Sequence, residues 1–122
     1  MSAPNIVGVT TMVGVTVGAA LTTTSSTIVS NALNSNQALK INTIVAANKS
    51  NATASVSVYY NNAAAGAGTT FSIANGIDVA TKSSLVILDK ASSFYLEENR
   101  SITAIASANS AIDLIISYES IS

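Results

Sequence analysis

The chain has 122 residues, which fits one domain and leaves no room for a second of ordinary size. Only 9% of residues are charged and 5% aromatic against 48% hydrophobic, and five Lys and Arg against six Asp and Glu give a formal charge of -1. An average soluble protein carries about 25% charged residues, so no basic field exists to hold a nucleic acid; the absence of His, Cys and Trp removes disulfides, Ser-His and Cys-His hydrolysis and nearly every transition-metal ligand set.

Ile, Val and Thr are abundant, and their β-branched side chains sit best on a pleated surface. Glu, Lys, Gln and Arg are too scarce to clothe the solvent face of even two amphipathic helices. The composition predicts an all-β domain.

Taken in chain order, residues 1–39 carry no charged side chain, and the first is Lys40. A secretory signal needs a basic region ahead of its apolar run, and a spanning helix needs about 20 mostly apolar residues. The stretch from Ile6 to Leu21 meets neither condition, being broken by Thr10, Thr11 and Thr16 and by Gly8, Gly14 and Gly18. No membrane segment is expected. Val7-Gly8-Val9-Thr10 recurs six residues later as Val13-Gly14-Val15-Thr16. An even offset keeps equivalent side chains on one face of an extended strand, whereas a helix would turn them by about 600°. Two readings follow: a Gly/Val-rich edge strand or disordered terminus, or an uncharged extended arm that adds a strand to a neighbouring subunit. The arm is favoured, with residues 1–17 as arm, 18–122 as sandwich, and Val7, Val9, Val13 and Val15 as contact residues.

Beyond Gly18 the candidate strands are Ala20 to Thr24, Thr27 to Ser30, Ala38 to Ala46, Ala52 to Tyr60, Thr69 to Ala74, Ile77 to Ala80, Ser84 to Leu88, Ser93 to Leu96, Ser101 to Ala108 and Ala111 to Ser120. Their spacing suits a single antiparallel β-sandwich of jelly-roll type. Alternation places Ala54, Val56, Val58 and Tyr60 on one core face, and Ile112, Leu114, Ile116 and Tyr118 on another. Asn48-Lys49-Ser50-Asn51, Asn75-Gly76, Glu97-Glu98-Asn99-Arg100 and Asn109-Ser110 read as turns or bulges, and the eight residues from Asn61 to Gly68 as a long flexible loop.

No residue is singled out as catalytic, cofactor-binding or metal-ligating. Glu97 and Glu98 are adjacent and would point to opposite faces of a strand, so they read as a solvated turn rather than a calcium site. Gly66-Ala67-Gly68 lacks the third glycine of a dinucleotide fingerprint. Three Asn-X-Ser/Thr sequons, at Asn48, Asn51 and Asn99, match the number expected by chance in so Asn- and Ser-rich a chain. Tyr59 and Tyr60 are neighbours in one strand, so one faces outward, and an outward Tyr among Ser, Thr and Ala suits a packing contact.

The succession Ile41-Asn42-Thr43-Ile44-Val45-Ala46-Ala47-Asn48, Ser83-Ser84-Leu85-Val86-Ile87-Leu88-Asp89, Tyr95-Leu96-Glu97-Glu98, Ser101-Ile102, Ala106-Ser107-Ala108 and Ser117-Tyr118-Glu119-Ser120-Ile121-Ser122 resembles small virion structural proteins of tailed phages, those of marine cyanophages among them. In such chains Gly-Asp often follows Leu-Glu-Glu, where this sequence has Asn99-Arg100. The resemblance covers about residues 18–122. It implies a β-sandwich component of the virion without saying where in the virion it sits. The charge-poor composition, which loses little desolvation energy on burial against neighbours, then favours a non-enzymatic capsid decoration or cement protein attaching as a homo-oligomer. Its partners would be the major capsid protein or neck and tail proteins, with a neck, tail or fibre-attachment role as the alternative. An adhesive or carbohydrate-binding module, prompted by the Asn-rich loops and Tyr59 or Tyr60, and a self-assembling filament subunit complete the expectations.

Overall fold

The computed structural model describes residues 11–122. Val7, Val9 and the first copy of the repeat lie outside the described residues. Nine strands follow in chain order: β1 (Met12–Ala20), β2 (Ser26–Asn31), β3 (Ala38–Asn48), β4 (Ala54–Asn61), β5 (Thr70–Val79), β6 (Ser84–Leu88), β7 (Phe94–Leu96), β8 (Arg100–Ala106) and β9 (Ile112–Ile121). Short 3₁₀ turns occupy Ala64–Gly66 and Lys90–Ser92.

The strands form two sheets. Sheet one has the order β1-β9-β3-β6 with β7 also paired to β3, and sheet two has the order β2-β8-β4-β5. All pairings are antiparallel. The pairs β1/β2, β3/β4, β5/β6 and β8/β9 each cross from one sheet to the other, which is the winding of a jelly roll. The expected all-β sandwich is the fold.

Alternation builds the core. Ile112, Leu114 and Ile116 from β9 and Val56 and Val58 from β4 are fully buried between the sheets, with Ile102 and Ala104 of β8. On β3 the alternation shifts phase. A bulge between Ile41 and Thr43 breaks register with β9, so Ile41 and Ile44 both point inward and are fully buried, while Val45 is turned to the outer face.

The structure has no break at the expected boundary after residue 17. β1 begins at Met12 and pairs through Ala20 with β9 of its own chain, from Met12 opposite Ile121 to Ala20 opposite Asp113. Residues 12–17 are therefore strand within the sandwich, because β9 has β3 on one flank only and its other row of backbone groups needs a partner. The strand expected over Ala20 to Thr24 is instead the crossing between sheets. Leu21 is fully buried, its N–H donates to the Ile112 carbonyl at 2.9 Å, and the Ala106 N–H donates to the Thr22 carbonyl at 2.9 Å. The two segments Thr69 to Ala74 and Ile77 to Ala80 are one strand, β5, with Asn75-Gly76 as a bulge inside it. Gly76 has φ +63° and its N–H donates to the Ser57 hydroxyl at 2.8 Å.

Candidate assembly surface

Three surfaces stand open among the described residues: the β1 edge, an apolar row on the outer face of sheet one, and a groove between the sheets. The same outer face carries Lys40, Asp113 and Glu119, with Glu119 opposite both Gly14 and Lys40 and Asp113 opposite Ala20. β1 is the first. It is an edge strand with no fully buried residue; Val15, Val17 and Ala19 are half-buried and the rest are exposed. Natural edge strands are commonly blunted by Lys, Pro or inward charges, and β1 has none of these. Its outward-facing Gly14 and Gly18 have none of the described residues within 4 Å of where a Cβ would stand, their chain neighbours aside. Glycine weakens a strand interior, and it is placed there where another backbone or ligand must approach closely.

The two outer sheet faces are unlike. On sheet two the Asn61-to-Gly68 loop lies across β2 and β8, which accounts for the burial of Ser101 and Thr103. The Gly66 N–H donates to the Ser101 hydroxyl at 2.9 Å, that hydroxyl donates to the Ala63 carbonyl at 2.7 Å, and the Ala65 N–H donates to the Ser30 hydroxyl at 3.0 Å. A loop expected to be flexible is thus pinned, and a Cβ on Gly66 would stand 2.9 Å from the Thr27 hydroxyl oxygen. Among the described residues sheet one has no such cover. Gly18 lies opposite Ile115, Ile115 opposite Val45 and Val45 opposite Val86. These four make an apolar row across the outer face, in which Ile115 is 45% and Val86 60% exposed.

The third surface is a groove where the sandwich fails to close. β5 ends sheet two and β6 ends sheet one, and between them lies an apolar hollow of about 250 Å³ lined by Ile73, Ala74, Ile77, Leu85, Val86 and Ile87. Ile77 is 42% exposed although Val79, two residues on and facing the same way, is buried. One end of the groove is fixed by Asn48. Its side-chain amide donates to the carbonyls of Val79 and Ala52, both at 2.9 Å, and its backbone N–H donates to the Ser83 carbonyl at 2.8 Å. β3 is thereby tied to the end of β5 and to the turn that leads into β6.

The residues singled out from sequence are spread over the molecule. Val13 and Val15 lie on β1 opposite Ser120 and Tyr118, with Val13 exposed and Val15 half-buried. Tyr59 and Tyr60 lie in β4, in the middle of sheet two, away from β1. Tyr60 turns inward, packing on Phe71 with ring centroids 6.2 Å apart and edge-on to Phe94 of sheet one at 6.4 Å. Tyr59 faces outward, half-buried, opposite Thr103 and Ser72. The groove and the outer row escaped sequence reading. Ile77 and Val86 look like ordinary core positions; Ile115 falls by alternation on the face opposite Leu114 and Ile116, but only the sheet order shows that it joins Val45 and Val86 in an apolar row.

The acidic pair departs from a fully solvated turn. Glu97 is exposed, but Glu98 is only 8% exposed and one of its carboxylate oxygens accepts the Asn36 N–H at 2.8 Å. The other, Oε1, has no partner among the described residues. The two carboxylates do not converge, and among the described residues no three His, Cys, Asp or Glu side chains are grouped as ion ligands. No helix among them is long and apolar enough to cross a membrane.

No family model and no curated protein matches the chain. Among solved structures, one chain from Bacillus endospore appendages, described as a novel family of disulfide-linked pili, superposes with a TM-score of 0.55 at 15% sequence identity, over 99% of this chain and 95% of that one. The likeness establishes that the jelly-roll sandwich of this chain is similar, over nearly its whole length, to that of a pilus protein.

Proposed function

We propose that this protein is a non-enzymatic structural subunit that assembles with copies of itself into a filament. The observation that carries the reading is the uncharged, unblunted edge of β1 beside the apolar row of Gly18, Ile115, Val45 and Val86 on the outer face of sheet one. Burying such a surface strips few charges of water, and its Ser, Thr, Val and Gly side chains lose little conformational freedom. The similarity of the fold to a subunit of endospore pili supports a self-assembling role. Those pili are described as disulfide-linked, and this chain has no cysteine. Its contacts with neighbours then form without disulfides, by apolar packing and main-chain hydrogen bonds.

The test is direct. The purified chain is followed by analytical ultracentrifugation as concentration rises and by electron microscopy of negatively stained samples. Regular fibres that form without oxidant and persist in reducing agent are the expected result; a monomer at every attainable concentration refutes the reading. A second reading, a tailed-phage virion component such as a capsid decoration protein, is supported by the strand and turn text from Ile41 to Ser122. Its signature would be the chain in purified particles, in hundreds of copies for a lattice protein or a small multiple for a neck or tail ring.

A further inference from the structure

We infer that the β5/β6 groove of one copy receives the segment Ile6-Val7-Gly8-Val9-Thr10 of a second copy, so that subunits join head to tail. The inference rests on the self-assembly reading above and specifies a head-to-tail contact that the β1 edge and the outer row of sheet one supplement but do not replace.

Three observations carry it. The first is chemical match. All six groove residues, Ile73, Ala74, Ile77, Leu85, Val86 and Ile87, are apolar, and the hollow of about 250 Å³ exceeds the ~150 Å³ cavity that accepts a benzene-sized guest. Residues 1–10 carry no charge, and Ile6, Val7 and Val9 are the apolar side chains nearest to where β1 begins. The second is conformational. Val7-Gly8-Val9-Thr10 repeats Val13-Gly14-Val15-Thr16, and that second copy is a strand paired to β9. The same four residues are thus suited to an extended form, in which Val7 and Val9 project to one side and Gly8 lets the backbones approach. The free flanks of β5 and β6 offer it main-chain partners.

The third is distance, and it decides between one copy and two. The described chain begins at Thr11, whose N–H and carbonyl pair with Ser122 at 2.9 Å each, beside Met12 opposite Ile121 and Ile121 opposite Ala38. The groove lies at the other edge of sheet one, three strand spacings or about 14 Å away. It is also at the other end, since Val86 stands opposite Val45, seven residues or about 23 Å along β3 from Ala38. The diagonal is about 27 Å. Val7 is four residues from Thr11 and reaches at most ~14 Å, about half that distance. The segment cannot fill its own groove and must fill a neighbour's. With donor and acceptor at diagonal corners the contact is heterologous, and repetition extends it into a chain or a ring.

The test uses a chain lacking residues 2–10, which keeps the groove, and the full-length Val86→Glu variant, which keeps the segment but charges the groove rim at a residue 60% exposed. Ile77→Lys, on the opposite wall, is an independent groove variant should V86E fold poorly. Each variant alone should lose assembly. Mixed, they should form a species of one full and one shortened chain, a little under twice the 12.3 kDa chain mass, and stop there, because each has one working half of the contact. If the truncated chain assembles like the full chain, the segment is not the occupant and the inference is overturned. If both variants are monomeric and the mixture stays monomeric, the pairing is overturned while self-assembly stands. A full chain that never assembles overturns the proposed function and this inference together.

Discussion

Asn48→Ala tests whether a single buried amide holds the open side of the sandwich in shape. Asn48 is 2% exposed, and its side chain makes four hydrogen bonds: it donates to the carbonyls of Ala52 and Val79 at 2.9 Å each, and accepts from the Ser50 N–H at 2.9 Å and the Ser50 hydroxyl at 2.7 Å. Each bond is worth about 1 kcal/mol net, and a buried acceptor left without a donor costs about 1–3 kcal/mol. Ser50 lies near the surface, where water takes over its two bonds, so the loss falls mainly on Val79 and Ala52. The sum is about 3 kcal/mol. For a chain of this size that lowers the thermal midpoint by about 10–15 °C, within the 5–15 kcal/mol of total stability typical of a domain, so the variant still folds. Asn48→Asp should be worse than Asn48→Ala, because it removes both donors and aims a carboxylate at two carbonyl oxygens. Calorimetry and urea melts measure the loss. Amide exchange should rise first around Val79 and Ser83, where β5 and the turn into β6 come free of β3. A midpoint within about 3 °C of the parent, or an Asp variant more stable than the Ala variant, refutes the assignment.

Other substitutions give opposite signs at neighbouring places. Gly18→Thr should stabilise the monomer by about 0.5–1 kcal/mol, since Gly18 sits mid-strand with none of the described residues within 4 Å of a Cβ, its chain neighbours aside; a urea midpoint that falls contradicts the empty space. Ala65 has φ +58°, so Ala65→Gly should gain up to about 1 kcal/mol. Gly66→Ala should lose at least as much, because its φ is +76° and the added Cβ meets the Thr27 hydroxyl oxygen at 2.9 Å. Thermal melts of the two variants should move in opposite directions. The ion pair Lys49–Asp113, at 3.1 Å with both side chains well exposed, contributes about 0.5 kcal/mol or less, so Lys49→Met should barely shift the midpoint. Assembly should likewise weaken little between about 50 and 500 mM NaCl, as read by sedimentation, and a steep loss with salt would point to charged contacts instead.

Most of the sandwich could be read from the chain because its strands obey period two locally. Ala54, Val56, Val58 and Ile112, Leu114, Ile116 face the core as their alternation requires, and Asn99 takes the left-handed conformation at φ +59° that its turn position suggests. What escaped reading depends on residues distant in sequence. β1 was legible as extended chain, but not its partner, since backbone pairing to β9 leaves no mark in the side chains of either strand. Val45 was turned outward by a one-residue bulge at Asn42-Thr43, which shifts the face of all that follows and which the side chains on either side do not announce. Glu98 reads as a surface carboxylate beside Glu97 until the loop at Asn36 is folded over it.

The scarcity of charge gains its meaning from where it falls. Charges at turns and strand ends keep a sandwich soluble without guarding its edges, and here Lys49, Asp89, Lys90 and Arg100 are so placed. A monomer under pressure to stay apart would have put one of them on β1, which is long, regular and exposed. It would also have filled positions 14 and 18 with β-branched residues, which nothing among the described residues obstructs. The omission of both devices on one strand, next to an apolar row that the sheet leaves uncovered, is costly for a solitary molecule and favourable for one that spends its existence against neighbours. Without cysteine to lock those neighbours in place, the strength of any assembly must come from repetition of the same dry contact along the array.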